Sequence, residues 1–124
     1  MKHEMHYNDG FFEVKTYGDA EPDGFRDIID HLLAHANWKP GTTFLVNHSE
    51  LNSGPLSVDD VESIAQMSVR PGAQWGQARC ALLVARDLEY GMARMWEVFV
   101  EGKWDVIEHL FRSRDKAISW LKDV

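Results

Sequence analysis

Apolar residues along this 124-residue chain switch between two spacings, and each switch marks a boundary between elements. KHEMHY and FFEVKTYG are short β-type runs. Asn8-Asp9-Gly10 between them is an Asp-Gly hairpin signal. After Pro22-Asp23-Gly24 the period lengthens. Phe25, Ile28, Ile29, Leu32, Leu33 and Ala36 predict a helix with a single apolar face, ended by Asn37 to Gly41. Thr42 to Asn47 reads as a buried strand. Val58, Val61, Ile64 and Ala65 fix a second helix, which Arg70-Pro71-Gly72 closes. A loop carrying Trp75 leads to Arg79 to Ala85, a continuous apolar run of the kind buried on both faces of a sheet. Leu88, Met92, Met95, Trp96 and Phe99 form a third helical stripe. Val106 to Phe111 reads as a last strand, and Ser113 begins a terminal helix through Leu121.

The order is ββαβαβαβα within one domain spanning residues 1–124, with no internal repeat or linker. Strands separated by helices imply right-handed crossovers. The fold class is therefore α/β, with a mixed, mainly parallel central sheet, flanking helices and one antiparallel pairing from the opening hairpin. Ligand sites in such sheets form beyond the carboxyl ends of the strands, here after Asn47, Ala85 and Phe111.

Composition narrows the partners. Thirteen Lys and Arg against twenty Asp and Glu give a formal charge of −7, and no basic cluster is interleaved with aromatics. An acidic surface repels phosphate backbones, so nucleic acid is excluded as a partner and anionic membrane surfaces are disfavoured. No apolar run is long enough to span a bilayer, and MKHEMHYNDG lacks the apolar centre of a secretion signal. The expected location is the cytoplasm. The single Cys80, inside CALLVA, reads as a small buried hydrophobe with no adjacent base to activate it.

The last third of the chain resembles the SpoIIAA-like proteins, relatives of the STAS domain. An apolar strand leads into a Tyr-Gly-x-Ala-Arg-Met helix start (Tyr90 to Met95). A strand ending in Phe111-Arg112 follows, then a helix ending in Ala-x-x-Trp-Leu (Ala117 to Leu121). HLLAHANWKPGTTFLVN is similar to that family's first helix, Trp-x-Pro exit and next strand. The resemblance implies a mixed sheet flanked by helices, in a group of mostly regulatory or interaction domains that are rarely enzymes. STAS anti-sigma antagonists carry a phosphorylated Ser in an Asp-Ser pair before a Gly. The nearest match is Asn52-Ser53-Gly54, which makes Ser53 the candidate phospho-switch, although Asn replaces Asp and Pro55 follows the Gly.

Residue chemistry yields few sites. Ser57 reads as a helix N-cap with Asp60 in a capping-box position, and Asp59, Asp60 and Glu62 oppose a phosphate at that helix start. Arg86, at a strand end with Asp87 capping the next helix, is the better anion candidate. Arg94 is expected to pair with Glu97 or Glu101 on a solvated face. His31 and His35, spaced i,i+4 with Asp27 a turn earlier, are the candidate metal ligands, but HExxH is absent and no metal or other cofactor is expected. No nucleophile elbow or catalytic constellation is present. Trp75, in a Gly-flanked loop, folds back over the sheet, covers an apolar cavity or meets a partner.

Two functions follow as expectations. One is a non-catalytic regulatory domain acting through contacts with a protein partner and with itself as a homodimer, seated on residues 47–57, the Trp75 loop and the helix from Leu88. The other is a carrier or sensor of an apolar or lipid-like small molecule. That molecule would lie between helix 88–101 and the sheet, against Trp75, Met92, Met95 and Trp96.

Overall fold

Asp9 and Gly10 both adopt positive φ (53° and 83°), the backbone of a two-residue hairpin turn that matches strand twist. They join β1 (Lys2–Asn8) to β2 (Phe11–Asp19), which pair antiparallel. The computed structural model describes residues 1–123. After β2 come α1 (Pro22–Ala34), β3 (Thr43–Asn52), α2 (Val58–Val69), β4 (Arg79–Leu83), α3 (Asp87–Val100), β5 (Ile107–Phe111) and α4 (Arg114–Lys122). The sheet order is β1-β2-β3-β4-β5, and every pairing after the first is parallel. The expected order and mixed sheet are as the periodicity indicates.

Sequential parallel strands joined by crossovers of one hand place all the connecting helices on one face. That face carries Phe12, Phe44 and Cys80, packed with Leu32 and Trp75 in the larger core. α4 follows the last strand and closes no crossover, so it is free to cover the opposite face. There Leu45, Ala81 and Leu83 meet Ala117 and Leu121. Arg79 fastens this helix: its guanidinium lies 4.1 Å from the Trp120 ring centroid and donates to the carbonyls of Trp120 and Asp123 at 2.9 Å each. The caps of α2 and α4 follow the sequence. Ser57 and Asp60 form a reciprocal capping box on α2, and the Ser113 hydroxyl accepts from Lys116 N on α4.

Two elements, β3 and α3, differ from the sequence expectation. β3 runs five residues beyond Asn47, to Asn52, because Tyr17, Gly18 and Asp19 pair with Glu50, Leu51 and Asn52. Between Lys15↔Asn47 and Tyr17↔Glu50, β3 advances one residue more than β2, which is a β-bulge. Asp87 is not a cap: Arg86 occupies the N-cap position of α3 without a side-chain cap, and Asp87 pairs with Arg112 at 2.8 Å. The buried stripe of α3 is also rotated by about one residue from the predicted one. Leu88 is 45% exposed, whereas Glu89, Ala93 and Val100 are buried.

Candidate functional site: an apolar cavity with one polar end

A side chain added to a strand alternates faces, so Phe44, Val46 and His48 of β3 point to the same side of the sheet. The bulge then inserts one residue, and Leu51 and Ser53 continue that side in place of Glu50 and Asn52. These five residues form one wall of a cavity of about 130 Å³. β4 adds Cys80 and Leu82, and Val84 follows just beyond its end. α1 contributes Phe25, Ile28 and Leu32 at helical spacing, α2 contributes Val61, Ile64 and Ser68, and α3 contributes Glu89, Met92, Ala93 and Trp96. The walls are overwhelmingly apolar. Phe25, His48, Leu56 and Met92 are among the lining residues that are only half-buried.

Aromatic rings floor the other end. Trp75 is 2% exposed, stacks on Phe44 at 5.5 Å, and meets Trp38 and Trp104 edge-on at 5.7 Å each. Its indole nitrogen donates to the Ser68 carbonyl at 2.8 Å, which satisfies the one polar atom that burial would otherwise strand. Trp75 therefore folds back over the sheet and is not available to a protein partner. Gly76 makes this possible, with φ +57° and a backbone packed directly against Pro40 and Gly41.

The polar end is built on Glu89. One carboxylate oxygen accepts from Arg86 Nε at 2.7 Å. The other accepts from Arg86 Nη2 at 2.8 Å, Ser53 N at 2.9 Å and Ser53 Oγ at 2.7 Å. Burial pushes the Glu89 pKa up, but the hydrogen bonds from Arg86 and Ser53, with the charge of Arg86, outweigh it and hold the carboxyl at about 2. Arg86 also donates to Asn52 Oδ1 at 3.1 Å, so its Nε and Nη2 edge is engaged, and its side chain does not line the cavity. Beside them, His48 Nδ1 lies 2.6 Å from Thr16 Oγ1. Burial lowers the His48 pKa to about 4, with only partial opposition from the Glu89 charge, so the ring is neutral.

The structure sorts the sequence candidates. Trp75, Met92 and Trp96 line the cavity together; Met95 does not. At 100° per residue Met95 falls about a quarter-turn or more off the line through Glu89, Ala93 and Trp96. Ser53 is buried with its hydroxyl proton on a carboxylate, so a phosphoryl group there would first have to displace Glu89 from Arg86. Ser49 turns from His48 and bonds Asn47 Oδ1 at 2.6 Å. His31 and His35 do not converge: His31 Nδ1 is 2.9 Å from His3 Nε2, and His35 Nδ1 accepts from Asn37 N. Among the described residues, no group of three or more His, Cys, Asp or Glu side chains could hold a metal. Arg94 pairs with Glu97 at 3.1 Å, as expected of a solvated face. Sequence reading missed Glu89 and His48. The available signal was a carboxylate at i, i+3, i+4, i+7 with Met92, Ala93 and Trp96, on the apolar face of its helix.

The chain is similar throughout to a crystal structure of an uncharacterized protein of the DUF3478 family from Shewanella loihica PV-4, which has a SpoIIAA-like fold. The two are 17% identical, with a TM-score of 0.61 over 97% of this chain and 92% of that one. The fold is SpoIIAA-like. At this identity the likeness carries the architecture alone, and the SpoIIAA-like fold hosts the cavity without naming its contents. No family model matches the sequence, and no curated protein is significantly similar to it. No helix among the described residues is long and apolar enough to cross a membrane.

Proposed function

We propose that this SpoIIAA-like domain is a non-catalytic carrier or sensor of a small apolar molecule, held between the sheet and α1, α2 and α3. The observation that carries this reading is the cavity of about 130 Å³ with apolar walls. Well-packed cores leave few voids larger than a water molecule. An apolar void of about 150 Å³ stays dry and accepts benzene, so this one suits a single ring or a short aliphatic chain. A longer lipid-like tail would require Phe25, Leu56 and Met92 to move aside.

A catalytic reading has little to draw on. Burial pushes the Cys80 thiol well up, with the Glu108 charge adding to it, so the thiolate is inaccessible. The Thr16 hydroxyl beside His48 is 0% exposed within the sheet, and the Ser53 hydroxyl is bound to Glu89. Protein contact fits this reading as the output of sensing. The exposed apolar Val58 and Leu88 flank the 53–57 loop beside the polar end, where ligand occupancy would be felt. Self-association through that surface would appear as a dimer.

Native mass spectrometry of freshly purified protein, with and without fluorobenzene, tests the reading. Ala93 lines the cavity and is buried, so Ala93→Leu fills the void from within. The expected result is a bound small molecule on the wild type, absent from a folded Ala93→Leu variant. A wild type that is empty and takes up no fluorobenzene overturns the proposal.

A further inference from the structure

The polar end of the cavity differs from its walls in how its hydrogen bonds are used. Glu89 accepts four hydrogen bonds, and every donor that reaches it belongs to Arg86 or Ser53. Ser53 Oγ directs its proton to Glu89, which leaves its lone pairs as acceptors on the cavity wall. The Thr16 hydroxyl lies 3.2 Å from the Asn47 carbonyl, an acceptor, and 2.6 Å from His48 Nδ1, which accepts or donates according to the tautomer. Either way Nδ1 is engaged by Thr16, while His48 Nε2, which is not among the buried atoms left without a partner, keeps access to solvent at a half-buried position in the cavity lining. A neutral imidazole presents Nε2 as a donor in one tautomer and as an acceptor in the other.

Resting on the cavity-binding reading above, we infer that the cavity selects a neutral amphiphile with a ring-sized or short-chain apolar body and one hydroxyl group, placed against His48 Nε2 and Ser53 Oγ. A hydroxyl both donates and accepts, so it suits either tautomer of His48 while donating to or accepting from its neighbours. A carboxylate only accepts. It would lie beside the Glu89 carboxylate in a cavity whose lining includes no Arg or Lys. An ammonium only donates, and although Glu89 offers it acceptors, that carboxylate is already paired with Arg86, so the ion's desolvation among apolar walls is poorly offset. The burial that keeps His48 neutral agrees with an uncharged ligand.

Equilibrium binding of toluene, phenol, benzoate and benzylammonium to the full chain, followed by NMR titration, separates the two levels of the argument. Toluene reports the cavity alone. Phenol binding is expected to perturb the His48 ring nitrogen resonances, which toluene leaves in place. His48→Phe is expected to weaken phenol about tenfold while leaving toluene within a factor of about two, because the ligand hydroxyl loses its partner. Toluene binding by that variant also shows that its cavity is intact. Benzoate or benzylammonium binding as tightly as phenol overturns the hydroxyl inference. So does phenol binding that leaves the His48 resonances unmoved in the wild type, a readout independent of how any variant folds. If neither toluene nor phenol binds, the cavity reading itself fails.

Discussion

Glu89 and Glu108 are two half-hidden or hidden carboxyls with opposite fates, and the difference lies in their partners. Glu89 is enclosed by donors and stays ionised. Its stabilising contribution is present above the ordinary Glu range and is lost as pH falls through about 2. Glu108, opposite Cys80 in the β4–β5 register, has one oxygen buried without a partner. Burial raises its pKa, Glu97 raises it further by hydrogen bond and charge, and Arg94 only partly opposes them. The folded chain therefore holds a proton that the unfolded chain releases above about 4.5, so this group makes stability fall as pH rises. Glu108→Gln is expected to raise the Tm at pH 8 and to change it little at pH 4. An equal shift at both pH values in thermal unfolding would contradict that assignment. The helical spacing of Glu89 with Met92, Ala93 and Trp96 hinted at its burial, but its partner Ser53 was not legible, because the two are 36 residues apart and no local spacing joins them. The Arg86–Glu89 pair, at i,i+3, was also open to a local reading.

At the scale of elements, the hairpin, the crossover order and the α2 and α4 caps were legible because each is written locally in turn residues, period or cap residues. The far half of β3 was not. His48, Ser49 and Glu50 are polar and read as a loop, yet pairing with the end of β2 across a bulge holds them in the sheet. That bulge turns Leu51 and Ser53 toward the cavity. The orientation of α3 was misread for a related reason: an apolar Leu88 beside a charged Glu89 suggests the reverse of their burial, until Arg86 and Ser53 satisfy the charge. The loop before β4 depends on one small residue. A Cβ on Gly76 would sit 2.7 Å from Gly41 N and 2.8 Å from Pro40 C, at φ +57°. Gly76→Ala should therefore lower stability by about 1–3 kcal/mol in urea unfolding and loosen the seat of Trp75. A variant as stable as the wild type would show that the close approach of these loops is not required.

For the whole molecule, the periodicity located the layers but not the space between them. Three helices on one face and one on the other follow from the chain order, whereas a void depends on how side chains of fixed volume meet, which no spacing encodes. The same residues that predict a core, from Ile28 to Trp96, also enclose the cavity of about 130 Å³. Empty, such a void is a standing loss of packing; occupied, it becomes a binding site. The most direct measurement is a methyl-resolved NMR titration of the full chain with toluene. A filled cavity gives saturable shifts confined to Ile28, Leu32, Ile64, Leu82 and Val84, accompanied by a higher Tm. Shifts that fail to saturate, or that fall equally on the exposed Val98 and Ile107, would contradict it.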